Sequence, residues 1–355
     1  MTIKISSGFP GGNILIRGVN GNRIELSPDL RDSSAMWFYW YFEAEFDAPG
    51  EYEFHFDSSA IGTRGPAIST DGGQTWLWGG GKLEDSEGFR YLHDGKMKKV
   101  RFCMGIPYLQ EDWQRLGLPV AELCRSRRGR SVELFTHGAG PHKYFFSARH
   151  HCCEMAANYV IEGVIEAARR DSRPDFTLFI VPFADKDGVE NGDQGKNRKP
   201  HDHGRDYSDE PIYPEVRAIM ELILREQPEV IVDLHCPWLR GGATNETIYI
   251  VGVEPYDAQK RLERFSALLE PESKKGNGIH FFESDNVPFG SLWNTRENYT
   301  QGKTVSKWAI GLPWKPLSAS LEIPYANASD QTLTPELWRT FGQALWRAAR
   351  KYTDQ

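Results

Sequence analysis

The run Arg149-His150-His151-Cys152-Cys153-Glu154, together with a lone His235 far downstream, is where this chain could do chemistry. A histidine and a carboxylate three positions apart meet on one side of a helical turn, which would set His151 beside Glu154. Two nitrogens and one carboxylate make a three-ligand zinc site with a position left open for water, the arrangement of catalytic rather than structural zinc. The flanks fit this geometry. KYFFSAR before the run reads as a buried strand, and Met155, Val160, Ile161, Val164 and Ile165 after it give a helical apolar stripe. His235 closes EVIVDLH, another apolar strand, whose last residues would emerge at the carboxyl edge of a sheet, where α/β proteins bind ligands.

The remaining polar chemistry lies in residues 185–210, a stretch with no periodicity inside an otherwise regular region. A loop of that length is functional or disordered. Its segment GKNRKPHDHGRDY offers Lys196, Arg198, Lys199 and Arg205, with His201, Asp202 and His203 among them. Three readings stand side by side: a solvated basic loop, a separate metal site made by His201-Asp202-His203, or a set of cations placed over the zinc to hold anionic groups of a substrate.

The elements that must position these residues are legible in the pattern. Up to about residue 120 the chain reads as β structure: MWFYWYF would fill both faces of a strand, EYEFHF alternates, and STDGGQTW is a hairpin signal matching a single Asp-box. The aromatic run reads as core packing, with a sugar-stacking surface as the alternative. From about 130, apolar strands at SVELF, KYFFSAR, FTLFIVPF, EVIVDLH, ETIYIVGV and SASLEIPY alternate with helices. One helix follows the histidine run, one covers PEVRAIMELILRE, one lies around residues 257–269, and one closes the chain behind a Thr334 cap and Pro335. The expected fold class is α/β: a mixed, mostly parallel sheet covered by helices on both faces, preceded by an all-β sandwich. The expected division is residues 1–122 and 123–355.

Bulk properties narrow the function. The 355 residues can bury a sizeable core, and a net charge of -7 gives no reason to expect a nucleic-acid partner. No apolar stretch approaches about 18 residues, so no membrane span is expected. The amino terminus MTIKISSGFPGG lacks the apolar core of a secretory signal, and five cysteines without framework spacing fit reduced thiols in a cytoplasm.

Taken in order, these motifs resemble the zinc metallocarboxypeptidases, and within them the cytosolic carboxypeptidase branch. The resemblance spans nearly the whole chain: WFYWYFEAEF, ISTDGGQTW and IPYLQEDWQRL look like that branch's β-sandwich. ARHHCCE stands where ARQHPGE is typical, DKDGV is similar to NPDGV, DHGRDY to the DLNR motif, VDLH to the strand of the third ligand and SLEIPY to the strand of the catalytic glutamate. The resemblance implies one Zn²⁺ per chain held by His151, Glu154 and His235, with Glu322 as general base for a zinc-activated water. It implies Arg205 on the substrate's terminal carboxylate and Asp202 orienting the first histidine. Arg198 is the choice for the group that polarises the scissile carbonyl, with Lys196 its rival. The implied activity is removal of C-terminal residues from peptides or proteins, and the basic loop suggests acidic C-terminal residues. Gly204 departs from the family's asparagine, and the closing tyrosine is not located among Tyr299, Trp293, Trp308 and Trp314. Thiolate ligation by Cys152 or Cys153 is disfavoured, since both would point away from the ligand pair, and Cys236 would face the opposite side of its strand. Two alternatives remain: a zinc amide deacylase acting on N-acyl amino acids, against which the large β region argues, and a catalytically silent binding protein, against which the retained ligand triad and Glu322 argue.

Overall fold

The computed structural model describes residues 3–239, 245–328 and 331–355. In the amino-terminal part, alternation turns one side of each strand inward. Two five-stranded sheets result, one built on Ile3–Ser6, Tyr41–Phe46, Lys99–Cys103, Ala67–Ser69 and Leu77–Trp78, the other on Leu15–Asn20, Arg23–Ser27, Gly50–Phe56, Gly88–His93 and Gly81–Lys82. Their inner faces interlock through aromatic rings, with Phe54 and Phe102 centroids 5.2 Å apart and Phe89 and Phe102 5.3 Å apart. Such pairs contribute about 1 kcal/mol each beyond the area they bury. STDGGQTW is a turn closed on itself: Asp71 accepts from the amides of Gln74 and Thr75 and from the Thr75 hydroxyl.

The aromatic run departs from the expected strand. Only Tyr41 onward pairs in a sheet; Phe38, Tyr39 and Trp40 are buried but irregular, because the Gln194 side chain takes both backbone groups of Tyr39 at 2.8 and 2.9 Å. The run is core, as expected, except at its start. Met36 is exposed and Trp37 turns toward a cavity described below.

The second half is the expected mixed sheet. Its order is Val120–Arg125, Ser131–Gly138, Phe176–Val181, His142–Ala148, Val230–His235, Leu317–Glu322 and Tyr249–Ile250. The four strands from Phe176–Val181 to Leu317–Glu322 are parallel, and antiparallel strands flank them. Central strands buried on both faces are continuous apolar runs for that reason. Tyr144, Phe146, Val230 and Val232 pack on one face toward helices Ala156–Arg170 and Pro335–Thr353; Phe145, Phe179 and Ile231 pack on the other toward helix Pro214–Glu226. The two carboxyl-side helices touch backbone to backbone: a Cβ at Gly163 would lie 1.9 Å from the Arg339 carbonyl oxygen, and one at Gly342 2.0 Å from that of Val160.

The division expected at 122/123 falls inside strand Val120–Arg125, which pairs with Ser131–Gly138 along its length, so the second sheet begins at Val120. One apolar cluster runs from Phe42 and Phe102 through Met155 and Tyr325 to Trp338, joining sandwich and sheet. Residues 185–210 are not wholly irregular. Asp185 caps a short helix, Lys186–Asn191, by accepting from the Gly188 amide, and Gly192 ends it in the left-handed conformation. No helix among the described residues is long and apolar enough to cross a membrane.

Candidate metal centre

Strand His142–Ala148 delivers the chain to the site, and Arg149 then reverses it with a φ of 64°. His151 to Glu154 form a turn ahead of the helix, which starts only at Ala156; the expected helical turn is corrected to this one, closed by the Glu154 amide donating to the His151 carbonyl at 3.1 Å. Arg149 clamps it. Its buried guanidinium donates to the carbonyls of Cys152 at 2.7 Å and Tyr108 at 2.8 Å and to Asn158 Oδ1 at 2.9 Å. Sequence reasoning passed over this residue, although an arginine between an apolar strand and a ligand run is a signal of a buried clamp.

His235 and Glu322 end adjacent parallel strands in register with each other, which puts both at the sheet's carboxyl edge. There His151 Nδ1 lies 2.9 Å from one oxygen of Glu154 and His235 Nδ1 2.8 Å from the other. The donor atoms of these three buried residues all lie within 4.8 Å of one another. Both imidazoles are also held from behind. His151 Nε2 is 3.5 Å from Asp202 Oδ1, and His235 Nε2 is 2.7 Å from Asp233 Oδ2. The Asp233 carboxylate, at hydrogen-bond distance, fixes the tautomer that leaves His235 Nδ1 free to bind a metal, while Asp202 stands behind His151 at ion-pair distance. Two nitrogens and a carboxylate, so oriented, are a donor set that suits zinc.

Electrostatics match the grouping. Burial alone would raise the Glu154 carboxyl, but the charges of Lys196, His151 and His235 outweigh it and hold the group well below the usual range. Glu322 goes the other way: burial raises it, and its Oε2 has no hydrogen-bond partner among the described residues. His150, Asp233 and His235 form a second close group. Its atoms are already spent on one another: Asp233 Oδ1 accepts from Ser147 Oγ at 2.8 Å and faces His150 Nδ1 at 2.8 Å, while His150 Nε2 meets the Tyr207 hydroxyl at 2.6 Å. That chain is a brace beneath His235.

No family model matches the chain. A protein of uncharacterised function from Zymomonas mobilis is 24% identical over 368 residues, covering 95% of this chain and 92% of that one. The crystal structure of a metallo-carboxypeptidase from Burkholderia cenocepacia superposes with a TM-score of 0.81 at 20% identity, over 100% of this chain and 99% of that chain. A metallo-carboxypeptidase from Pseudomonas aeruginosa, solved in complex with (2-guanidinoethylmercapto)succinic acid, gives 0.78 at 20% identity over 99% of both chains. This chain has the metallocarboxypeptidase fold.

Above the three donors the metallocarboxypeptidase fold opens a cavity of about 470 Å³, within the range of small-molecule sites. Trp37, Lys196, Asp202, Arg205, Trp238 and Glu322 are among its walls. The loop cations separate sharply. Lys196 reaches the floor, with Nζ 3.0 Å from Glu154 Oε1 and 4.7 Å from the Trp37 ring centroid. Arg198 does not line the cavity. It is bound to Asp32 at 3.0 Å, Asp185 at 2.6 Å and Asp193 at 3.3 Å, so its choice as the carbonyl-polarising group conflicts with its placement. Lys199 is exposed. Arg205 donates only to backbone carbonyls, of Gly204 at 2.9 Å and Asn298 at 3.3 Å, and makes no ion pair among the described residues.

His201, Asp202 and His203 face three different partners, Asp206, His151 and the Asp185–Glu215 pair, so they hold no common ion. Gly204 is pressed against His151: a Cβ there would lie 2.7 Å from His151 Nε2. Tyr299 and Trp293 line the cavity, whereas Trp308 and Trp314 pack in the core behind. Lys307 sits behind Tyr299, with Nζ 3.1 Å from the ring centroid, and burial with the nearby Arg205 charge lowers it to about 8. Cys152 donates to the Asp193 carbonyl at 3.0 Å, away from the ligand pair. Cys236 lines the cavity instead of facing away, because the strand and its alternation end at His235.

Proposed function

We propose that this chain is a zinc-dependent carboxypeptidase that hydrolyses C-terminal residues from peptides or proteins. What carries the reading is one observation: His151, Glu154 and His235 meet at the floor of a cavity whose walls also present Glu322 and Arg205. His151, Glu154 and His235 would hold the ion, with Asp202 and Asp233 steadying the imidazoles. A zinc ion there supplies Lewis acidity, which acidifies water toward pH 7 and polarises a carbonyl.

The chain's own residues do the rest. Glu322, whose buried Oε2 has no partner among the described residues, takes the proton from the attacking water and returns it to the departing amine. Lys196, at the cavity floor, donates to the developing oxyanion in place of Arg198; losing one such donor typically costs on the order of 10²–10³ in rate. Arg205, with guanidinium donors free of any carboxylate among the described residues, holds the substrate's terminal carboxylate and thereby fixes which bond is cut. Lys196 and Arg205 are both cations of the cavity lining, which supports a preference for acidic C-terminal side chains. Five free cysteines support a cytoplasmic location.

The test is Glu322→Gln assayed on peptides ending in Glu, Asp, Lys, Leu and Phe. The variant should retain zinc and lose roughly 10²–10⁴-fold in kcat. The native protein should cleave the Glu-ended peptide with the highest kcat/KM. Full activity in the variant rules out the general-base role, and equal cleavage of all five peptides removes the acidic preference.

A further inference from the structure

The floor cation does not position itself. Lys196 lies between two residues in the left-handed conformation, Gly195 at φ 76° and Asn197 at φ 54°. A peptide in that shape has few local hydrogen bonds of its own, so something else must hold it. The holder comes from residues 29–39, more than 150 positions earlier, in the connection between sandwich strands Arg23–Ser27 and Tyr41–Phe46. Asp32 accepts from the Gln194 amide at 2.9 Å through one oxygen and from the Gly195 amide at 2.8 Å through the other. Ser34 donates to the Asn197 carbonyl from its amide at 2.9 Å and from its hydroxyl at 2.6 Å. Tyr39 bonds the Gln194 side chain through both backbone groups, and the Trp37 ring lies under the Lys196 ammonium. The sandwich thus grips the chain on both sides of Lys196, at the Gln194 and Gly195 amides and at the Asn197 carbonyl, while the Asn197 amide donates within the loop to Asp202 Oδ2 at 3.1 Å.

We infer that Asp32 is a positioning residue for the reaction, acting through Lys196, and that the β-sandwich is the part of the molecule that sets the oxyanion-stabilising group in place. This rests on the proposed carboxypeptidase reading, in which Lys196 contacts the reacting carbonyl. Asp32 itself touches neither substrate nor metal ligands. It accepts two backbone amides with its two oxygens, a job its amide analogue cannot do, since one of the two acceptors becomes a donor. Displacement of a catalytic group by about 1 Å can cost on the order of a hundredfold in rate.

Two readouts on the full-length zinc-loaded protein separate this from a general structural role. The first needs no activity: reductive methylation with formaldehyde, followed by mass spectrometry, gives the labelling rate of each lysine. In Asp32→Asn, Lys196 should label at least about fivefold faster while exposed Lys199 is unchanged. Equal Lys196 rates in the two proteins overturn the proposal. The second is a double-mutant cycle with Lys196→Gln. Asp32→Asn alone should lower kcat about 10- to 100-fold, with KM changed less than about threefold and zinc content unchanged. In the Lys196→Gln background the same change should cost less than about threefold; a full loss in both backgrounds means that Asp32 acts elsewhere and overturns the proposal. If Lys196 labelling rises but the native protein cleaves no C-terminal residue, the carboxypeptidase reading and its catalytic use of Lys196 fail, while the grip of Asp32 on Lys196 stands. Should Asp32→Asn not fold, Ser34→Ala at an exposed position carries the test, with Lys196 labelling expected to rise about twofold and no rise overturning the proposal.

Discussion

Position 204 shows how tightly His151 and Asp202 are seated. The family resemblance implies asparagine there, yet this chain has glycine, and a Cβ would lie 2.7 Å from His151 Nε2 and 3.3 Å from Asp202 Oδ1. A side chain would therefore wedge apart the imidazole and the carboxylate that steadies it. Gly204→Ala should weaken zinc binding by roughly tenfold or more, the usual scale for disturbing a partner behind a ligand, as measured by competition with a chelator. Unchanged zinc affinity would show that Asp202 has no part in orienting His151. At this scale the sequence was informative about the floor of the site and misleading about its wall. His151, Glu154, His235 and Glu322 stand beside strand ends or on them, and strand ends are visible as the close of apolar runs. Which loop cation reaches the floor depends on left-handed residues at 195 and 197 and on three carboxylates around Arg198, two of them remote or hidden in a turn. No spacing rule encodes that.

The loop of residues 185–210 is the element on which the site depends most, and its own stability is tied to charge. Burial, reinforced by the neighbouring Asp32, raises the Asp193 carboxyl from 3.8 to about 6. Its folded-state pKa lies above the unfolded one, so the stability linked to its proton is fully present below about pH 4 and is lost as pH rises through about 6. The span between 3.8 and 6 corresponds to roughly 3 kcal/mol. Asp193→Asn keeps this position neutral at every pH. Urea unfolding should therefore show the variant gaining on the native protein between pH 4 and 7, and a constant difference across that range would contradict the assignment. Helices such as Pro214–Glu226 and Pro335–Thr353 were readable residue by residue because an apolar face and a proline start suffice to define them. The loop was not readable, because its short helix is fixed by one aspartate cap and its remainder by partners in the sandwich.

Across the whole molecule, the sandwich and the α/β half share one apolar core. Phe38 meets Tyr325 with centroids 5.9 Å apart, Tyr108 meets Tyr159 at 4.9 Å, and Trp78 donates to the Leu333 carbonyl at 2.8 Å. Composition and alternation announced two textures along the chain, but nothing in a pattern of strands states that two halves will fuse. Calorimetry should accordingly give a single transition with matching calorimetric and van't Hoff enthalpies; two resolved transitions would show that the halves fold independently. The fusion also explains why residues 29–39 can reach the candidate metal centre at all. The claim on which everything else depends is that His151, Glu154 and His235 grip one ion, and anomalous diffraction from crystals of the purified protein on either side of the zinc edge tests it most directly. A single zinc peak about 2.0–2.2 Å from His151 Nδ1, His235 Nδ1 and a Glu154 oxygen is expected; no peak there, or a peak between His150 and Asp233 instead, would contradict it.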